Sequence, residues 1–166
     1  IQAFSIAQIG KSGARFDYDK ALWFNQQYIL EEPIEELEIK VKAILENHGI
    51  SPDFDELRTF TELYRPRVQT YPDFWEQGHY VFDEIHSYDE KMIRKKWKGK
   101  GVEQFQDLIE IVRETKDFQE VEVRIKNFME KNELGFGQVL PLLRLSCCGT
   151  MKGPDLFSTM KLKLKK

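Results

Sequence analysis

Apolar residues recur at intervals of three and four almost from end to end of this chain, and no stretch alternates apolar and polar in the manner of a half-buried strand. That spacing points to an all-α fold. Asp17 or Asp19 is placed to cap a first helix running to about Leu30, with Leu22, Trp23, Asn25 and Ile29 on it. Pro33 suits the first turn of a second helix, whose apolar stripe is Ile34, Leu37, Val41, Ile44 and Leu45 and which Gly49 stops. Ser51-Pro52-Asp53 opens a third, carrying Leu57, Phe60 and Leu63 until Pro66 breaks it. Residues 71–82 form an aromatic segment with the look of a shorter helix. The chain resets around Ser87-Tyr88-Asp89, and a basic helix then runs to Trp97, ended by Gly99 and Gly101. Two amphipathic helices follow, one on Val102, Phe105, Leu108, Ile109 and Val112, the other on Phe118, Val121, Ile125, Phe128 and Met129. A helix from Gly137 to about Cys148, a loop over 149–154 and a last helix from near Pro154 complete about eight helices in two groups, which meet near residues 86–88.

Composition narrows the setting. Hydrophobic residues at 41% and charged residues at 32% suit a soluble globular chain, and no apolar stretch approaches the ~20 residues that span a bilayer. With no Met at Ile1 and no signal-peptide pattern, the chain reads as part of a longer cytoplasmic protein. The net charge of -3 carries no bulk attraction for nucleic acid, but the charges are segregated. Ten acids lie within 31–62, whereas Lys91, Arg94, Lys95, Lys96, Lys98 and Lys100 crowd into 91–100 with no acid among them. Cys147 and Cys148 are adjacent, a spacing that disfavours a disulfide and suits two reduced, buried thiols. Neither has a ligand spacing to His48, His79 or His86, so no metal site is expected.

Catalytic constellations do not emerge. Gly10-Lys11-Ser12 resembles the end of a phosphate-binding loop, but Ser5 stands where that loop needs a glycine. The remaining signals are arginines among aromatics. In Arg65-Pro66-Arg67, the proline interrupts a helix where two guanidiniums emerge and fixes the backbone that aims Arg67. Tyr71 and Trp75 follow at distances suited to stacking on unpaired bases, against the plainer alternative that they belong to a core. Arg144 sits between Leu143 and Leu145 in an otherwise apolar helix, so it must snorkel, find a partner or face a ligand. The glycine-rich loop over 149–154 precedes a helix and leaves backbone N–H groups available. Arg65, Lys95, Lys96 and Lys98 are candidates for phosphate contacts, although basic runs are usually solvated.

Three groups of residues, in order along the chain, resemble the C-terminal half of bacterial-type glutamyl-tRNA synthetases. Gly13-Ala14-Arg15-Phe16-Asp17 with Lys20-Ala21-Leu22-Trp23-Phe24-Asn25-Gln26-Gln27-Tyr28-Ile29 is similar to that family's segment after the catalytic domain. Arg65-Pro66-Arg67 is similar to the Arg-Pro-Arg that closes its first anticodon-binding subdomain's recognition helix. Gly135-Phe136-Gly137-Gln138-Val139, Leu143-Arg144, Gly149 and Gly153-Pro154-Asp155-Leu156-Phe157 follow its closing signature. The family's H-I-G-H and K-M-S-K-S type sequences are absent from the chain.

The resemblance implies two small helical anticodon-binding subdomains without their catalytic domain. Residues 1–30 would be the connecting segment, 31–87 the first subdomain and 88–166 the second. It implies that Arg67 contacts the third anticodon base, that Arg144 also contacts the anticodon, and that Gly153, Pro154 and Leu156 pack on the bases. The implied partners are the anticodon arm of glutamate tRNA and the protein's own catalytic domain, with ATP and magnesium used by the full-length enzyme and no cofactor or active site in this chain. Departures are the two leucines, Leu142 and Leu143, between Pro141 and Arg144, Cys148 in place of the usual threonine, and the Lys-rich end over 160–166. The competing reading from the residues alone is a helical protein-interaction module that docks through its acidic face over 31–62 or its C-terminal lysines. In that case the arginines would be structural.

Overall fold

The computed structural model describes residues 16–115 and 117–164; Gly10-Lys11-Ser12, Gly13-Ala14-Arg15 and the last two lysines lie outside the described residues. The described residues form ten α-helices and no strand: α1 Tyr18–Glu31, α2 Ile34–Asn47, α3 Phe54–Tyr64, α4 Asp73–Gly78, α5 Glu90–Lys96, α6 Lys100–Glu103, α7 Phe105–Glu114, α8 Phe118–Lys131, α9 Phe136–Cys148 and α10 Leu156–Lys163. The all-α expectation holds. Among these residues no helix is long and apolar enough to cross a membrane.

Helix starts follow the aspartates. Asp17, Asp53, Asp89, Asp117 and Asp155 each accept a hydrogen bond from a backbone N–H of the first turn that follows. At α3 the cap is reciprocal, since Glu56 N–H donates to Asp53 at 2.8 Å and Asp53 N–H donates to Glu56 at 3.3 Å. Each such cap contributes on the order of 1 kcal/mol. Gly49, at φ 77°, ends α2, and Ile50 N–H reaches back to Leu45 C=O at 3.0 Å.

Two expected segments divide further. The aromatic segment is α4 followed by a single 3₁₀ turn, His79–Val81. The stretch beginning at Val102 is broken at Gln104, so Val102 lies on α6 and Phe105 opens α7. Gly101, expected to end the basic helix, instead sits buried inside α6, pressed onto α9. A Cβ there would stand 2.4 Å from the carbonyl oxygen of Gln138. The basic helix already stops at Lys96 with Trp97 as its C-cap, and Gly99, at φ 80°, is the N-cap of α6.

Two apolar cores result. The first gathers Ile29, Leu37, Val41, Leu45, Leu57, Phe60, Tyr64, Val68, Phe74, Tyr80 and Val81, and it draws in Cys148 and Leu162 from the far end of the chain. The second joins Leu108, Val121, Ile125, Met129 and Leu134 to Val139, Leu143, Leu156 and Met160. Helices α9 and α10 therefore contribute to both.

Gly101→Ala should destabilise the fold by ~1–3 kcal/mol, the usual cost of overpacking. Gly137→Ala, where nothing lies within 4 Å of the added carbon, should be neutral or gain up to ~1 kcal/mol from helix propensity. Denaturant unfolding of the two variants compares them directly, and equal stabilities would contradict the close seat of α6 on α9.

Candidate nucleic-acid interface

Helix α3 ends in the Arg-Pro-Arg turn, and the two arginines go different ways. Arg65 turns back onto the C-terminus of α1, where carbonyls lack helical partners and carry the negative end of the dipole. Its Nε donates to Ile29 C=O at 3.0 Å, and its Nη2 donates to the carbonyls of Leu30 and, at 2.5 Å, Glu32. A phosphate contact by Arg65 would thus start from a guanidinium already committed to the fold. Arg67 lies between buried Tyr64 and Val68, its own side chain exposed. Its N–H donates to Tyr64 C=O at 2.8 Å, which holds the turn. Asn25 donates to Gln69 C=O and Gln26 to Pro66 C=O, so α1 braces the same turn. Asp73 accepts from the N–H groups of Gln69 and Thr70 at 2.7 and 2.8 Å and braces it from below.

Tyr71 and Trp75 turn out to serve the fold. The Tyr71 hydroxyl donates to Glu32 at 2.8 Å and accepts from Lys40 at 3.0 Å, and the Lys40 ammonium lies 4.7 Å from the ring centre. Trp75 stacks on His48 with centroids 3.8 Å apart and planes 6° from parallel. Both pack against the first core, which is the plainer of the two expectations. One face of each ring is thereby taken.

Arg144 leaves α9 half-buried, and its Nη2 donates to Pro154 C=O at 2.7 Å. Its Nη1 is closed off from solvent without a hydrogen-bond partner among the described residues. No carboxylate pairs with Arg144 or with Arg67 among the described residues. Gly149, at φ 71°, ends α9, and its C=O accepts from Asp89 N–H at 2.8 Å. Gly153, at φ 134°, lies so close to Tyr80 that a Cβ would stand 2.6 Å from the Tyr80 hydroxyl. The Tyr64 hydroxyl donates to that of Tyr80 at 2.9 Å. Pro154 is buried, and Leu156, 4% exposed, belongs to the second core. The Leu156 side chain therefore anchors the loop from inside. Tyr80, Tyr88, Thr150, Lys152 and Gly153 line a cleft of about 570 Å³.

The basic run ends α5, where cations favour the helix dipole. Arg94 pairs with Glu90 at 3.1 Å. Lys95 and Lys98 are exposed and Lys96 is half-buried, and none of the three makes an ion pair among the described residues. Ile93 and Trp97 line a groove with Leu145 and Ser146 of α9. Among the described residues, no three His, Cys, Asp or Glu side chains gather as a metal site.

What these residues offer a partner is a set of donors held at a surface, the equipment of a helical nucleic-acid-binding domain. The comparisons are more specific. Residues 36–163 match the family model described as an anticodon binding domain, and the chain belongs to that family. It is 32% identical over 164 residues to the glutamate--tRNA ligase of Flavobacterium johnsoniae, covering 98% of this chain and 32% of that protein. With the glutamate--tRNA ligase of Porphyromonas gingivalis W83 it shares 33% identity over 163 residues, covering 97% of this chain and 32% of the relative. A crystal structure of a glutamate tRNA ligase from Elizabethkingia meningosepticum superimposes with a TM-score of 0.84 at 29% identity, again over 98% of this chain and 32% of the other. The chain spans about a third of the length of these relatives.

Burial also governs protonation near the loop. It pushes the Tyr80 hydroxyl up to about 12 and the Tyr64 hydroxyl further still. The two cysteines are free thiols, and burial pushes Cys147 up to about 11 and raises Cys148 as well. An unfolded tyrosine loses its proton near pH ~10 while the folded pair keeps theirs, so the unfolded state binds fewer protons and stability falls as pH rises. Stability from this pair should be complete below pH ~10 and lost progressively toward pH 12. Tyrosinate absorbance followed together with helical circular dichroism should show Tyr64 and Tyr80 ionising only as the helices melt. Ionisation of these two at pH ~10 in a fully helical chain would contradict their burial.

Proposed function

We propose that this chain reads the anticodon arm of glutamate tRNA as the anticodon-binding third of a cytoplasmic glutamate–tRNA ligase. The observation that carries this reading is Arg67, an exposed guanidinium on a braced turn with no carboxylate paired to it among the described residues. Arg144 and the backbone at Gly153 and Pro154 form a second contact region, with Leu156 holding that loop in place. Residues 1–30 lead in from the catalytic part, and 31–87 and 88–166 are the two subdomains, although α9 and α10 reach into both cores. ATP and magnesium, in this reading, bind in the two thirds of the relatives' length that this chain does not cover.

Glutamate anticodons end in C and glutamine anticodons in G, so the third base separates the two tRNAs. A cytosine's pairing edge presents the acceptors O2 and N3 to a group that can only donate. Guanine presents N1–H and N2–H there, which sets donors against donors and leaves polar groups unpaired. A good bidentate contact discriminates by about 1–3 kcal/mol, or roughly 5- to 150-fold.

Arg67→Gln, able both to donate and to accept, should weaken glutamate tRNA within that range and let glutamine tRNA compete in a binding titration. Equal weakening of both tRNAs would make Arg67 a phosphate contact. Replacing Lys95, Lys96 and Lys98 with Ala should flatten the slope of log affinity against log salt by roughly 0.7–0.9 for each phosphate that the variant no longer neutralises. An unchanged slope assigns the basic run to solvent.

A further inference from the structure

Tyr64 touches both halves of the candidate interface. Its carbonyl accepts the Arg67 N–H at 2.8 Å, and its hydroxyl, at the far end of a fully buried ring, donates to the Tyr80 hydroxyl at 2.9 Å. The Tyr80 hydroxyl is in turn the surface on which Gly153 rests, close enough to exclude any side chain there. The Gly153 position also lies 3.3 Å, measured from an ideal Cβ, from Arg144 Nη1, while Arg144 Nη2 holds the carbonyl of the next residue, Pro154. One continuous path of bonded or touching atoms therefore runs from the Arg67 turn to Arg144. Its links are stiff, because both rings are locked in the first core, with Phe60 4.5 Å from Tyr64 between centroids. Two phenylalanines would fill the same ring volumes without placing hydroxyls in an apolar interior, where a polar group is costly unless paired.

We propose that the Tyr64–Tyr80 hydroxyl pair is a positioning element that sets Arg67 in register with the loop of Arg144 and Gly153, so that the two halves engage RNA as one unit. This rests on the reading that both halves meet the anticodon. Removing the Tyr80 hydroxyl withdraws the support beneath Gly153 and leaves the Tyr64 hydroxyl a buried donor without its acceptor. The Arg67 turn and the Arg144 loop then settle independently of one another.

A double-mutant cycle on the affinity for a synthetic hairpin of the glutamate tRNA anticodon arm measures this. With Tyr80 present, the losses from Arg67→Gln and Arg144→Gln should depart from multiplicativity by about fivefold, the size typical of residues sharing a network. In the Tyr80→Phe background they should multiply to within about twofold. Phe60→Leu, which loosens the same core without touching a hydroxyl, should lower the melting temperature and leave the coupling in place. Coupling that survives Tyr80→Phe, or that vanishes equally in Phe60→Leu, overturns the proposal. Nuclear magnetic resonance of the RNA-free protein supplies a second readout: Tyr64→Phe should shift the Gly153 amide and Arg144 guanidinium signals, and unmoved signals also overturn it. A chain that binds no hairpin refutes the anticodon reading instead, while the resonance arm still decides the linkage.

Discussion

Helix α9 is buried around most of its circumference, and the remainder of the molecule is arranged about that fact. Val139, Pro141, Leu142, Leu143, Leu145 and Cys148 are all buried in protein, as expected of a helix that is apolar all round. One side supplies Cys148 to the first core and the other supplies Val139 and Leu143 to the second. A third side receives α6 so closely that only glycine fits at 101. In such a helix a single cation has few places to go. Arg144 leaves at the margin and attaches to the loop that carries the chain into α10, which puts a guanidinium beside a glycine turn instead of against a carboxylate.

The neighbourhood of Arg67 arises from the opposite situation. Here the chain crosses from α3 to α4 over the surface, and polar bonds from elsewhere hold it: Asn25 and Gln26 from α1, and Asp73 from the start of α4. Pro66 stops the helix, the Tyr64 carbonyl catches Arg67 N–H, and buried Val68 draws the chain back in. The Arg67 side chain is left facing water. A rigid backbone bearing such a donor group is pre-organised for a ligand with acceptors, since little conformational entropy remains to be lost on binding.

The parts of this structure that depend on neighbours in sequence are legible without coordinates. Asp17 and Asp53 as caps, Gly49 as a stop, Pro66 as a break and the stripe of Leu37, Val41 and Leu45 all follow from short-range chemistry. Contacts between distant segments are not legible in this way. Nothing in the chain announces that Gly101 will press on Gln138, or that Tyr71 will find Glu32 and Lys40. The two arginines of Arg-Pro-Arg look alike in sequence, and only the arrival of α1 at Arg65 separates a structural guanidinium from an available one. Leu156 suits a surface or a core equally well in sequence, and packing against the second core decides it. The candidate site itself comes from family resemblance, because isolated arginines among aromatics do not distinguish a ligand surface from an ordinary one.

The attachment of α1 has a consequence for how the molecule comes apart. This helix contributes one buried residue, Ile29, while Tyr18, Phe24 and Tyr28 stay exposed. It is held largely by polar bonds from Arg65, Asn25 and Gln26, five in number. Water competes for every one of these bonds, whereas it cannot replace the packing of Phe60 or Leu45. The first helix is thus latched to the body more than it is packed into it, and the latch includes the Arg65 side chain and the carbonyl of Pro66. A partial opening in which α1 lifts away as a unit would take only Ile29 from the buried members of the first core and leave the second untouched, yet release the turn that carries Arg67.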